Sequence, residues 1–178
     1  ATVSNCSITN NKASLCAVTL GLGVKASTVS DCSITNNTGG GLICSNSNIV
    51  LLGTMNITGN TSMAGSDSEY NNMYFTDDET VALNDGNGKT LSTDSKIGVA
   101  TYKTPTASKP VTFATKATEK MKDCFTSDDS KYIVSLNGTE LQLGVSDYNE
   151  LWYQVDATDN TKKFFSGESR DSLTETNI

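Results

Sequence analysis

Ten residues recur almost unchanged 26 positions apart. Thr2-Val3-Ser4-Asn5-Cys6-Ser7-Ile8-Thr9-Asn10-Asn11 returns as Thr28-Val29-Ser30-Asp31-Cys32-Ser33-Ile34-Thr35-Asn36-Asn37, with Asn5/Asp31 as the single difference. A looser copy, Leu52-Gly53-Thr54-Met55-Asn56-Ile57-Thr58-Gly59-Asn60, follows 23 residues later. A period in the twenties built from short β-branched runs is the pattern of a stacked solenoid, in which each copy forms one coil. This repeat fixes the architecture of the first third of the chain and names no ligand or reaction.

Aligned, the copies give columns. Val3, Val29 and Leu52 share one, Cys6, Cys32 and Met55 a second, and Ile8, Ile34 and Ile57 a third. Apolar residues at alternate positions, with Ser and Thr between them, mark strands with one buried face. The runs Leu15–Val18, Leu42–Cys44 and Ile49–Leu52 supply the other sides of each coil. Gly21, Gly23 and Gly39-Gly40-Gly41 suit corners. Asn11, Asn37 and Asn60 form a fourth column, and stacked Asn side chains can hydrogen-bond from coil to coil.

All twelve aromatic residues lie after position 69, and residues 1–69 hold only five charges. The shift places a boundary near residues 63–70. We therefore expect terminal coils of the solenoid over 1–65, a β-rich cap over 66–145 and a polar tail over 146–178. In the cap, Asn71–Phe75, Thr80–Leu83, Ile97–Val99 and Val111–Phe113 read as strands. Glu119–Cys124 reads as a short helix. Tyr132–Leu136 and Thr139–Leu143 flank Asn137-Gly138 as a hairpin with a type I′ turn. For the tail, three readings stay open: a linker, the start of another module, or a strand pair that packs back.

Composition excludes several functions. Thirteen basic and twenty acidic residues give a formal charge of −7. That disfavours nucleic acid and anionic membranes, which call for clustered Lys and Arg. Histidine is absent, which removes the commonest general base and zinc ligand. No apolar run is long enough for a spanning helix. The five cysteines contain no CxxC pair, so no metal site is expected. Cys6 and Cys32 are expected to stack as small apolar residues, although strand spacing near ~4.8 Å leaves a bridge between coils open.

Gly40-Gly41-Leu42-Ile43, with Ile8-x-x-Asn11, Ile34-x-x-Asn37 and Ile57-x-x-Asn60, resembles the Gly-Gly-Ala-Ile and Phe-x-x-Asn repeats of polymorphic outer-membrane proteins. It is similar to bacterial adhesin-like surface proteins with a right-handed parallel β-helix, with Ile here where those often carry Phe. The stretch Asn72-Met73-Tyr74-Phe75 to Leu136-Asn137-Gly138 resembles the segment that follows their last coil. The resemblance implies an extracellular, cell-surface-attached location and supplies no catalytic residues.

The expectation is an all-β fragment: right-handed parallel β-helix coils, then a β-rich C-terminal capping segment. The chain opens inside a repeat, so contact with further N-terminal coils of its own chain is also expected. Adhesion to a host or microbial surface glycan or protein is the favoured role, with no catalysis, cofactor or metal. A structural stalk is one alternative. The other is part of a carbohydrate-active β-helix enzyme with its active coils elsewhere. Such an enzyme calls for paired carboxylates about 5–9 Å apart, and the repeat itself offers only Asp31. Asp77-Asp78-Glu79 and Asn84–Gly88 match no calcium loop and read as turns. Tyr148, Trp152 and Tyr153 are the candidate ligand contacts, as an aromatic platform or as a small core that pins the tail.

Overall fold

The computed structural model describes residues 1–20, 27–45, 48–62 and 71–145, together with the backbone of three strands beyond them. Ala1–Val145 and Ser146–Ile178 form two separate compact units.

The first unit is a parallel β-solenoid of about four turns. Three coils each contribute three short strands. The first has β1 (Thr2–Ser4), β2 (Ser7–Thr9) and β3 (Val18–Leu20). The second has β4 (Ser27–Ser30), β5 (Ser33–Thr35) and β6 (Leu42–Cys44). The third has β7 (Ile49–Leu52), β8 (Asn56–Thr58) and β9 (Met73–Phe75). Parallel pairing carries β1 onto β4 and β7, β2 onto β5 and β8, and β3 onto β6 and β9. Between the first and second strand of each of these coils a left-handed residue interrupts the chain and keeps the strands short. Asn5, Asp31 and Gly53 occupy one such column, with φ of 53°, 52° and 62°. Asn and Asp tolerate this conformation better than other side chains do.

The isoleucine column stands as expected. Ile8 pairs with Ile34 and Ile34 with Ile57, and Ile34 and Ile57 are fully buried. Cys32 is buried beside half-buried Cys6, and all five cysteines are free thiols. The valine column differs from expectation. Val29 pairs with Leu51, and Leu52 pairs with Ser30. The third coil carries one extra residue between its first two strands. It is absorbed at the corner around Thr54, whose N–H donates to Asp31 Oδ1 at 3.0 Å.

The change in composition near residues 63–70 does not end the parallel stack. β10 (Val81–Ala82) pairs with β7, and β11 (Lys96–Thr101) pairs with both β8 and β9. Lys96 and Ile97 meet Asn56 and Ile57, while Val99–Thr101 meet Met73–Phe75. Two faces that earlier coils separate by a corner thus merge on one straight strand. β12 (Val111–Thr115) adds to β10, the short helix α1 (Glu119–Lys122) follows, and β13 (Phe125–Ser127) adds to β11. The isoleucine column therefore continues through Ile97 to Phe125.

An antiparallel hairpin, β14 (Tyr132–Asn137) and β15 (Glu140–Val145), closes the stack, with β15 paired to β12. Asn137 faces Glu140 across the turn, so the two loop residues are Gly138 and Thr139 rather than Asn137 and Gly138. Gly138 has φ of 61° and Thr139 is not among the positive-φ residues. That is the type II′ pattern, with Gly first, and not type I′. Beneath the hairpin the ladder shifts between Thr112 and Ala114. Phe113, inside this bulge, lies 5.8 Å from Phe75 and 5.4 Å from Phe125 between ring centroids. This tilted trio, with Leu141 and Leu143, fills the C-terminal end of the core.

In the second unit, β16 (Trp152–Val155), β17 (Lys162–Ser166) and β18 (Thr174–Glu175) form an antiparallel sheet.

Candidate functional site

Two features of the solenoid carry polar chemistry: an internal ladder and an external groove. The ladder grows from the asparagine column. Asn11 donates its main-chain N–H and its carboxamide N–H to Asn37 Oδ1, both at 3.0 Å. Asn37 does the same to Asn60 Oδ1 at 3.0 and 2.8 Å. Asn60 does the same to Asn72 Oδ1 at 3.0 and 3.2 Å. Asn72 then donates to the two carboxylate oxygens of Asp128. The two inner carboxamides also reach main-chain carbonyls: Asn37 donates to Ile8 and Asn60 to Ile34. Asn37 and Asn60 are buried, so these bonds replace those lost to water. The sequence pointed to three rungs. Asn72 and Asp128 lie outside the repeat and carry no signal for it.

Gly98 lets the ladder finish. A Cβ there would clash with Asn72 Nδ2 and with Asp128 Oδ1. Position 98 pairs with Thr126 in β13, so any side chain would enter the space between these two rungs.

The groove lies on the outer face of the sheet that holds β1, β4 and β7. It measures about 590 Å³ and is lined by Thr2, Ser4, Asn5, Thr28, Ser30, Asp31, Leu52, Gly53, Lys89 and Thr90. Register creates it. Thr2 stacks on Thr28 and Ser4 on Ser30, so two hydroxyl pairs repeat at strand spacing. Asp31 and Lys89 are exposed at its edge and bring opposite charges. The loop that carries Lys89 is held by Asp85, whose Oδ1 accepts from the N–H of Asn87 at 2.7 Å and of Lys89 at 3.1 Å. Lys89 joins the groove from a segment 58 positions beyond Asp31, so no local motif announces it. The groove has one carboxylate, whereas glycoside hydrolysis commonly uses two.

The other acidic turn behaves as a turn. Asp78 pairs with Lys103 on the surface. Among the described residues, no group of three metal-capable side chains gathers, and no helix is long and apolar enough to cross a membrane. The side chains of Tyr148, Trp152 and Tyr153 lie outside the described residues. Backbone pairing alone sets Trp152 opposite Phe165 and Tyr153 opposite Phe164.

No family model, curated protein or solved structure matches this chain.

Proposed function

We propose that this chain belongs to a bacterial extracellular surface protein and that its solenoid serves adhesion or ligand display, without catalysis in these coils. The observation that carries this reading is the hydroxyl-lined groove that crosses three coils. Compact small-molecule sites are concave and mostly apolar. This one is wide and polar, with stacked Thr and Ser hydroxyls flanked by Asp31 and Lys89. Such a surface offers donors and acceptors to an extended hydroxyl-rich chain. We take a surface glycan, host or microbial, as the ligand class. A carboxylate accepts from neighbouring sugar hydroxyls and an ammonium donates to them.

The test is a glycan and protein-ligand array probed with the full chain, followed by calorimetric titration of any hit. Asp31→Asn keeps a side chain that coil 1 already uses at the matching corner, Asn5, so the fold is retained. Asp31→Asn combined with Lys89→Gln is expected to weaken glycan binding by roughly tenfold or more, about 1.4 kcal/mol. Binding that ignores both substitutions removes the groove from the reading. No retained ligand at all favours the stalk alternative, which the continuous asparagine ladder also supports.

A further inference from the structure

Cys6 and Cys32 hold the same place in successive coils. Each follows a left-handed corner residue, Asn5 with φ of 53° and Asp31 with φ of 52°. Each precedes a strand, and those strands pair Ser7 with Ser33. Main-chain hydrogen bonds fix the stack on both sides. Asn5 N–H donates to Ser30 O at 3.1 Å, and Ser33 N–H donates to Cys6 O at 2.8 Å. Residues stacked in this way lie one strand spacing apart, about 4.8 Å. A disulfide spans Cα separations of roughly 4.4–6.8 Å.

The thiols also point alike. Cys6 Sγ donates to Ser4 O at 3.2 Å and Cys32 Sγ to Ser30 O at 3.1 Å. Cys32 Sγ reaches on toward coil 1, 3.7 Å from Val3 O. The Cys32 thiol is pushed up first by burial and then by the charge and hydrogen bond of the Cys6 thiol, against an opposing main-chain hydrogen bond at Cys6. Each sulfur thus lies in the other's surroundings.

Among the described residues, which include all five cysteines, no other pair is stacked like this. On its far side Cys32 meets the Met55 corner, where Asn56 N–H donates to Cys32 O at 2.9 Å. Cys44 pairs with Leu20 and Phe75. Cys16 turns its thiol onto its own segment, 3.0 Å from Val18 O and 2.9 Å from Thr19 Oγ1. Cys124 Sγ faces Ser92 O and Lys120 O.

We propose that Cys6 and Cys32 form an oxidative crosslinking site that ties coil 1 to coil 2 behind the rim of the groove. Asn5 and Asp31, the residues just before the two cysteines, line that groove. The inference does not depend on what the groove binds. The oxidant is a low-molecular-weight disulfide. One cysteine thiolate attacks it, forms a mixed disulfide and expels one equivalent of small thiol. The other cysteine thiolate then attacks the sulfur of the first and expels the second equivalent. Both cysteine protons end on the released thiols, and two electrons pass from the cysteines to the oxidant. The bridge joins residues 26 positions apart and so restricts the unfolded chain.

The test holds the full chain in a buffer of oxidised and reduced glutathione. Samples are quenched with acid, unfolded, alkylated with N-ethylmaleimide and mapped as peptides without reduction. The expected product is a chain lighter by two hydrogens, with Cys6 linked to Cys32 and Cys16, Cys44 and Cys124 alkylated. The chain unfolded in urea, in the same buffer, is the reference. There loop closure favours the nearer pair, Cys6 with Cys16 at ten positions, over Cys6 with Cys32 at 26. In the folded chain the Cys6–Cys32 link is expected to exceed Cys6–Cys16 by about tenfold or more, because stacking replaces chain diffusion. The urea midpoint of the crosslinked chain is expected to rise and to return when dithiothreitol opens the bridge. Cys6 and Cys32 left free, or held as glutathione adducts without a bridge, overturn the proposal. So does a folded chain whose links match the unfolded distribution, or one that joins Cys16 to Cys44 instead. A bridge that leaves the urea midpoint unchanged or lowers it overturns its role as a tie between coils.

Discussion

Asn72 donates its main-chain N–H to Asp128 Oδ2 at 3.0 Å and its carboxamide N–H to Asp128 Oδ1 at 2.6 Å. The pair joins residues 56 positions apart and ends a chain of hydrogen bonds that begins at Asn11. In the inner rungs one carboxamide oxygen accepts both bonds. At the end two carboxylate oxygens share them. A ladder of one-way donors needs a final group that accepts without having to donate further, and an ionised carboxylate is that group.

Asp128→Ala is therefore expected to destabilise the chain by about 1–3 kcal/mol, the cost of leaving half-buried donors unmade. Asp128→Asn still supplies one oxygen and is expected to cost less than Asp128→Ala. Urea midpoints of the two variants check this ordering. Equal losses would show that the ladder does not depend on its terminal acceptor.

Position in the stack should govern the isoleucine column. Ile34 is fully buried between Ile8 and Ile57. Ile34→Ala is expected to cost roughly 2–4 kcal/mol through cavity formation. Ile8 is only half-buried, so Ile8→Ala should cost clearly less. Denaturant titration of both variants, with unchanged slopes, measures the difference.

Much of this fold was legible because the repeat writes the same letters at the same register. The Ile8, Ile34, Ile57 column and the Asn11, Asn37, Asn60 column were readable directly. The slip to Leu51 was not, because Leu51 and Leu52 are both apolar and either satisfies the column. The later coils were readable as strands but not as coils. Val81 and Ile97 occupy solenoid positions, yet the residues around them no longer repeat. Asn72, Gly98 and Asp128 act together only because stacking brings three distant segments to one point. The groove was hidden for the same reason. Thr2, Thr28 and Lys89 become neighbours through register, and each alone is an ordinary surface residue.

Alkaline pH should weaken folding through buried thiols. Burial, and secondarily the charges of Glu79 and Cys16, push the Cys44 thiol well above its ordinary value of 9.0. Burial also raises Cys32 and Cys124. A raised folded-state value means that the folded chain holds protons which the unfolded chain releases. The stability present below pH 9.0 is then lost as pH climbs toward the folded-state value. The urea midpoint is expected to fall between roughly pH 9 and 11, and to fall less steeply in Cys44→Ala. Identical pH slopes for the two chains would show that Cys44 does not contribute.

The hairpin β14–β15 should act as the lid of the solenoid. Leu143 pairs over Val111 and Leu141 over Ala114, and both leucines are buried. Below them Phe113 bridges Phe75 and Phe125. Without the hairpin, β12 becomes an open strand edge and this aromatic cluster meets water. Each large apolar side chain so uncovered forfeits about 1.5–3 kcal/mol of burial. An unpaired edge over an exposed core is also a template for another chain. A chain ending at Ser130 keeps Asp128, and with it the whole ladder, and differs from a chain ending at Val145 only by the lid, so the two are compared. The shorter chain is expected to self-associate or precipitate. The isolated segment 131–145 is expected to be unfolded, since a lone hairpin is marginal in water. Sedimentation velocity on the truncated chain decides the matter. A monomer that unfolds cooperatively would show that the stack closes itself without β14 and β15.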